Sequence, residues 1–193
     1  MQAYTPLNCG IQARLRLAAA AIAVLMLGAC TDAPPGVEPV RSFDVKRYLG
    51  EWFEIARLDH SFERGLTNVT AIYMARDDGS VTVVNRGFDR KSCRWNDAKG
   101  SAVFQAARDT ASLSVTFFKP FSGGYHVFAL DRQGYDWAMV SGPSRDYLWI
   151  LARRPNLPAQ IREGLVAQAK ALGFPVNELL LVDHSKPICA APR

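Results

Sequence analysis

The 193-residue chain has little of what most enzymes use. Histidine occurs three times, at His60, His126 and His184, too scattered to mark a metal site. There is no Gly-x-Ser-x-Gly elbow, no glycine-rich phosphate loop and no Cys-x-x-Cys pair. These absences remove the usual signatures of a hydrolase, a nucleotide-dependent enzyme or a dithiol oxidoreductase, and no cofactor is expected. No apolar run approaches the roughly 20 residues of a membrane-spanning helix; Leu17–Leu27 is unbroken but short. Charge of one sign is also lacking. The formal net charge is +5, falling to +3 if Arg14 and Arg16 are removed with a leader, too mild and too evenly spread to argue for nucleic acid. Hydrophobic content of 49% and charged content of 21% suit one globular domain with a good-sized core.

The short apolar run has a use. Arg14 and Arg16 precede it, and Gly28, Ala29 and Cys30 follow it. A basic patch, a short apolar core and small residues describe a secretory signal peptide, expected over residues 1–29. "LGAC" (Leu27–Cys30) resembles the lipobox of bacterial lipoproteins. That resemblance implies cleavage before Cys30 and lipid attached there, with several acyl chains for stable anchoring to a membrane. Thr31, rather than aspartate, follows the cysteine, which in such proteins implies sorting to the outer membrane. Of four cysteines, Cys9 would leave with the leader and Cys30 would carry lipid, so Cys93 and Cys189 remain. In an oxidising compartment an even pair reads as a disulfide, with two buried thiols as the alternative. Residues 30–41 include "TDAPPGVEPV", with three prolines and no apolar periodicity, which reads as an extended tether.

From Gly50 onward, short β-rich runs alternate with turn chemistry. Strands are expected near 51–58, 69–75, 80–88, 101–106, 112–119, 125–131, 136–141 and 147–153. The links between them hold the Gly, Asp, Pro and Ser of tight turns. Eight consecutive strands with short links favour an all-β, antiparallel up-and-down meander. Closing it into an eight-stranded barrel removes the edges and leaves room for one small ligand. The period then changes: Ile161, Leu165, Ala169 and Leu172 share one helical face, with Pro158 in the first turn and Gly173 at the C-terminal cap. "ELLLVD" (Glu178–Asp183) offers a short ninth strand.

One stretch imitates an active site. "YLGEWFEIARLDHSFERG" (Tyr48–Gly65) gathers Glu51, Glu54, Asp59, His60 and Glu63. Strict alternation dissolves that cluster. Glu54, Ala56 and Leu58 share the face of Trp52, whereas Phe53, Ile55 and Arg57 point the other way. His60 then reads as a solvated loop residue and Glu54 is left without a partner.

The same stretch carries a family likeness. "GEWFEIAR" resembles the first lipocalin signature, through Gly50 and Trp52; "ALD" (Ala129–Asp131) stands in the second region, with Leu130 where many members have threonine. "YLWILAR" (Tyr147–Arg153) matches the third, and the order of strands, helix and final strand agrees over Ser42–Cys189. The chain is thus similar to the bacterial outer-membrane lipocalins and their apolipoprotein D relatives, with residues 42–193 as the lipocalin domain. The resemblance implies that Arg153 covers the Trp52 indole at a closed barrel end, with "FDVKRYLG" forming the turn that shuts it. It also implies inward-facing residues on each strand: Val69, Ala71 and Tyr73; Val83 and Asn85; Ala102 and Phe104; Leu113, Val115 and Phe117. Val140, then Tyr147 and Trp149, complete the set. On the sixth strand His126 and Phe128 are taken as inward, because His126 would then serve a polar head group near the mouth. Many lipocalins tie this part of the barrel to the C-terminus, which fits Cys93 with Cys189.

The implied function is reversible binding of a fatty acid or lysophospholipid for envelope maintenance, without enzymatic chemistry, by a protein held at the outer membrane and facing the periplasm. A filled barrel acting as a structural lipoprotein, and a lipid-modifying enzyme on the same barrel, stand as rivals. Pairing of two barrels into a homodimer is left open by the sequence.

Overall fold

The computed structural model describes residues 31–189; the expected leader, Cys9 and the lipidation residue Cys30 lie outside that range. Nine strands follow one another: β1 (Gly50–Arg57), β2 (Leu66–Ala75), β3 (Val81–Asp89), β4 (Arg94–Phe104), β5 (Ser112–Phe118), β6 (Phe121–Leu130), β7 (Trp137–Ser141), β8 (Leu148–Ala152) and β9 (Leu180–Leu181). A short helix α1 (Val45–Tyr48) precedes them, and α2 (Ala159–Ala171) lies between β8 and β9. All neighbours are antiparallel, in the order β2-β3-β4-β5-β6-β7-β8-β1-β9, and a further β1–β2 pairing closes β1 to β8 into a barrel. The expected fold is the observed one.

Two hairpins are longer than the sequence suggests. β4 begins at Arg94, not Ser101, because the polar run Arg94–Lys99 pairs with Val84–Asp89 while facing water on both sides. β6 begins at Phe121, not Tyr125, and its Gly123 and Gly124 pair with Val115 and Ser114. Neither segment alternates apolar with polar residues, so neither announces a strand.

The alternation also fails inside β1. A bulge between Glu54 and Ala56 inserts one residue, so Arg57 returns to the side of Glu54 while Ile55, Ala56 and Leu58 join the outer cluster. β2 leaves β1 at Phe53–Thr70, and β9 takes its place beside Ala56 and Arg57. The C-terminal segment fills the resulting seam. Asn68 donates from its backbone N–H to the Asp183 carbonyl and from Nδ2 to the Ser185 carbonyl, and His184 Nε2 donates to the Glu54 carbonyl at 2.8 Å. The Cys93–Cys189 disulfide, with Cα atoms 5.0 Å apart, fastens this segment to the β3–β4 hairpin. It closes a loop of 96 residues, for which loop-closure entropy gives an upper figure of about 4–5 kcal/mol.

Two apolar clusters result. One fills the barrel around Trp52, Tyr73, Val83, Leu113, Val127 and Val140. The other lies outside β1 and β6–β8, where α2 contributes Leu165 and Ala169, with Phe174 beyond it. Gly173 at φ +82° supplies the left-handed residue after the α2 cap, as expected. Ile161, expected on the buried face, stays 37% exposed.

Residues 31–41 are not a free tether. Val37 joins the outer cluster and Val40 the inner one. The Val40 N–H donates to the Val127 carbonyl, and the Val40 carbonyl accepts from the Ala111 N–H. The segment is a packed strap, and the compact domain begins at Thr31 rather than Ser42.

Candidate functional site

One barrel end is shut. Trp52 is fully buried and its Nε1 donates to the Tyr48 carbonyl at 2.8 Å. The Arg153 guanidinium lies 3.9 Å above the indole ring. It also donates to the carbonyls of Glu51 (2.8 Å), Arg47 (2.6 Å) and Tyr135 (3.3 Å), so it ties α1, β1 and the β6–β7 turn together. Gly50, at φ +95°, holds a conformation that side chains resist, and a Cβ there would come 3.5 Å from Arg153 Nη1.

Above this plug, three tyrosine hydroxyls form a chain across the barrel. Tyr125 lies 2.8 Å from Tyr48 and 2.7 Å from Tyr73, oxygen to oxygen. Burial pushes all three phenols above their ordinary range, so they act as neutral hydrogen-bonding groups. A void of about 20 Å³ beside them, bounded by Phe43, Leu49, Val81 and Leu113, has room for a water molecule.

Toward the other end, the wall is apolar and partly open. Phe117 and Trp149 lie there, while Ala71 pairs with Trp52 and Val115 borders the void; all four pack against the inner cluster yet keep part of their surface exposed. Phe104, nearer the closed end, does the same beneath the Arg108 guanidinium. Asn85 lies beside Ala71 on β3, also partly exposed. Val69 is buried near the mouth, beside Gly87. These inward-facing apolar side chains keep some solvent contact where the inner cluster ends.

A buried charge cluster frames that mouth. Arg57 Nη1 donates to Glu54 Oε1 at 2.7 Å, and its Nε lies 3.8 Å from Glu63 Oε2. Arg57 Nη2 donates to the Glu63 carbonyl at 2.8 Å, while Trp149 Nε1 donates to Glu63 Oε2 at 3.1 Å. Burial pushes Glu54 up to about 8, and the nearby Glu63 carboxylate adds to that; burial raises Glu63 as well. Two carboxyl groups facing one guanidinium favour retention of a single proton. The cluster brackets the 58–65 loop against β8. His60 is part of that bracket and not a solvated residue: it is buried and stacked 4.5 Å from Tyr147, and burial and the Arg57 charge push its imidazole below the usual range.

On the sixth strand the facing is the reverse of the expected one. Tyr125 and Val127 point into the barrel, whereas His126 and Phe128 lie outside it. His126 is fully buried under the strap, 3.1 Å from Ser112 Oγ, and Phe128 stacks on Phe174. The strap and α2 cover the outer face of β6, so apolar residues occur on both sides and alternation has nothing to report. Tyr48 and Tyr125 escape the sequence reading as binding-site residues: Tyr48 falls in the segment expected to form the closing turn, and taking His126 and Phe128 as inward turns Tyr125 outward.

A family profile described as a lipocalin-like domain matches residues 43–184. The chain is a lipocalin. It is 48% identical over 172 residues to the outer membrane lipoprotein Blc of Escherichia coli K12, spanning 88% of this lipocalin and 97% of the relative. The Vibrio cholerae protein of the same name is 44% identical over 160 residues, 83% of this chain and 94% of the relative. Mouse apolipoprotein D is 30% identical over 167 residues, covering 82% and 84%. Among solved structures, insecticyanin from the tobacco hornworm Manduca sexta superposes with a TM-score of 0.64 at 21% identity, over 82% of this lipocalin and 90% of the neighbour. That likeness concerns the fold alone. The lipocalin is Blc-like and related to apolipoprotein D, and its work is binding and transport of lipid-type ligands, not catalysis.

Proposed function

We propose that this lipocalin holds a fatty acid or lysophospholipid in its barrel and carries it for outer-membrane maintenance, anchored through lipid on Cys30 and facing the periplasm. The carrying observation is the apolar, partly exposed inner wall of Ala71, Val115, Phe117 and Trp149 around the buried tyrosine hydroxyls. An acyl chain laid along that wall gains ~0.8 kcal/mol per buried CH₂ before ordering costs. Its head group then stays near the mouth, where Asn85 and the rim loops offer polar partners. The Blc relatives, named as outer membrane lipoproteins, support the location. Titration with a fluorescent fatty acid, displaced by lysophospholipid, tests the cargo. Phe117→Asp places a charge on the apolar wall and is expected to weaken binding at least tenfold with the fold intact by circular dichroism. Equal binding by wild type and variant would contradict the reading.

A further inference from the structure

The hydrogen bonds of the tyrosine chain leave one proton over. Tyr48, Tyr125 and Tyr73 are neutral phenols, so three hydroxyl protons share two contacts, Tyr48–Tyr125 and Tyr125–Tyr73. Whichever way the chain is polarised, one O–H stays free, and among the described residues no other group accepts it. The surroundings offer nothing. Apart from the tyrosines, the side chains that bound the adjoining void, from Phe43 and Leu49 to Leu113 and Val115, are all apolar. A buried donor without an acceptor is destabilising, and native interiors rarely keep one. A water in the void would have phenols alone for partners, whereas buried waters usually make about three hydrogen bonds.

Two features say which acceptor fits. None of the side chains bounding the void is charged, and Arg153 is committed to three carbonyls and the Trp52 ring. A carboxylate brought here would lose its hydration and find no cation, so the fitting oxygen is a neutral one. The second feature is the closeness of the chain's two ends. The Tyr48 and Tyr73 rings stand side by side, with centroids 5.4 Å apart, within reach of one small group. A hydroxyl placed there accepts the spare proton and donates its own to the opposite end. Four hydroxyls then make four hydrogen bonds, each giving one and taking one. A keto oxygen answers only the spare donor, and a methyl group answers nothing.

The site is continuous with the wall described above. Val115 borders the void, and Tyr73 lies two residues along β2 from Ala71, on the same inner face. An acyl chain that keeps its ionic head at the mouth brings its far end toward the hydroxyls.

We propose that Tyr48, Tyr73 and Tyr125 form a binding site for a hydroxyl group at the tail of an acyl chain, so that this lipocalin selects tail-hydroxylated chains over plain ones. The selection rests on the lipid-cargo reading and narrows its ligand class.

The test titrates the purified protein calorimetrically with lauric, myristic, palmitic and stearic acids, each beside its ω-hydroxy derivative. The range of lengths scans the depth at which the tail ends. In a wholly apolar pocket the added hydroxyl weakens binding at every length. Wild type is expected instead to bind one of the ω-hydroxy acids roughly fivefold or more tightly than its parent, the worth of about one net hydrogen bond. Tyr48→Phe, Tyr73→Phe and Tyr125→Phe together remove all three donors and leave the ring shapes in place. This triple variant is expected to keep the circular dichroism and the parent-acid affinity of wild type and to prefer the parent acid. A second readout needs no variant: in the wild-type complex the terminal carbinol methylene should give nuclear Overhauser contacts to the Tyr48 or Tyr73 ring. A parent acid preferred at every length, a hydroxyl preference that the triple variant keeps, or carbinol contacts confined to Phe117 and Trp149 overturns the proposal. In each of those cases, binding of the parent acids leaves the cargo reading standing. Wild type that binds neither series removes both.

Discussion

At the scale of single residues, two side chains set the character of the barrel. Trp52 fills the closed end while Arg153 spans three carbonyls above it. Trp52→Ala is expected to destabilise the domain by roughly 3–5 kcal/mol in urea unfolding, the cost of a cavity where a buried aromatic stood. The cation–π contact adds ~0.5–2 kcal/mol to what Arg153 contributes. This plug is legible in the sequence because Gly50, Trp52 and Arg153 form an ordered motif. Glu54 is not. Strict alternation sets its partner Arg57 on the opposite face, and only the bulge between Glu54 and Ala56 brings them together. The pH response follows from that meeting. A carboxyl group raised by burial to about 8 binds a proton that the unfolded chain releases near 4.5. Its stabilising contribution is therefore full below about pH 4.5 and is lost as pH rises toward 8. Glu54→Gln mimics the protonated form. Across pH 5, 6.5 and 8 the wild type should lose ~1–3 kcal/mol of stability relative to this variant. The buried histidines are common to both proteins and cancel in the comparison; a pH-independent difference would show that Glu54 is ionised throughout.

At the scale of elements, what the sequence reveals depends on whether an element has one wet face and one dry face. Alternation is most useful at positions such as Ala71 and Tyr73 on β2, Val81 and Val83 on β3, and Leu113, Val115 and Phe117 on β5, which all belong to or pack against the inner cluster. The first half of β4 has two wet faces, and β6 has two dry ones along its second half. In both cases alternation is silent, which is why the sequence starts β4 late and turns His126 and Phe128 inward. The strap escapes notice for a different reason. Its prolines suppress local hydrogen bonding, and that composition suits a free linker as well as an extended chain laid on a sheet. Only the tertiary partners of Val37 and Val40 distinguish the two. The C-terminal segment behaves alike: Glu178–Asp183 reads as a strand, of which only Leu180–Leu181 pairs, and the segment's task is to fill the β1–β2 seam, with the disulfide as its fastener.

At the scale of the whole molecule, the two ends of the barrel divide the labour. The closed end concentrates hydrogen bonds and aromatic packing, from α1 through Trp52 to the tyrosine chain. The open end combines a partly exposed apolar wall, a bracketed rim loop and a hairpin tipped by bare phenylalanines. A gradient of this kind, rigid floor to accessible mouth, suits a carrier that must keep an acyl chain from water and still release it. The apparent catalytic cluster of the first strand belongs to that scaffold: its acids clamp a loop, and the histidine stacks within the rim. The most direct measurement is native mass spectrometry of the purified domain, followed by extraction and identification of what it holds. The expected result is a one-to-one complex with a fatty acid or lysophospholipid, absent from the Phe117→Asp variant. Wild-type protein that runs empty, and stays empty after incubation with either lipid, would contradict the carrier reading.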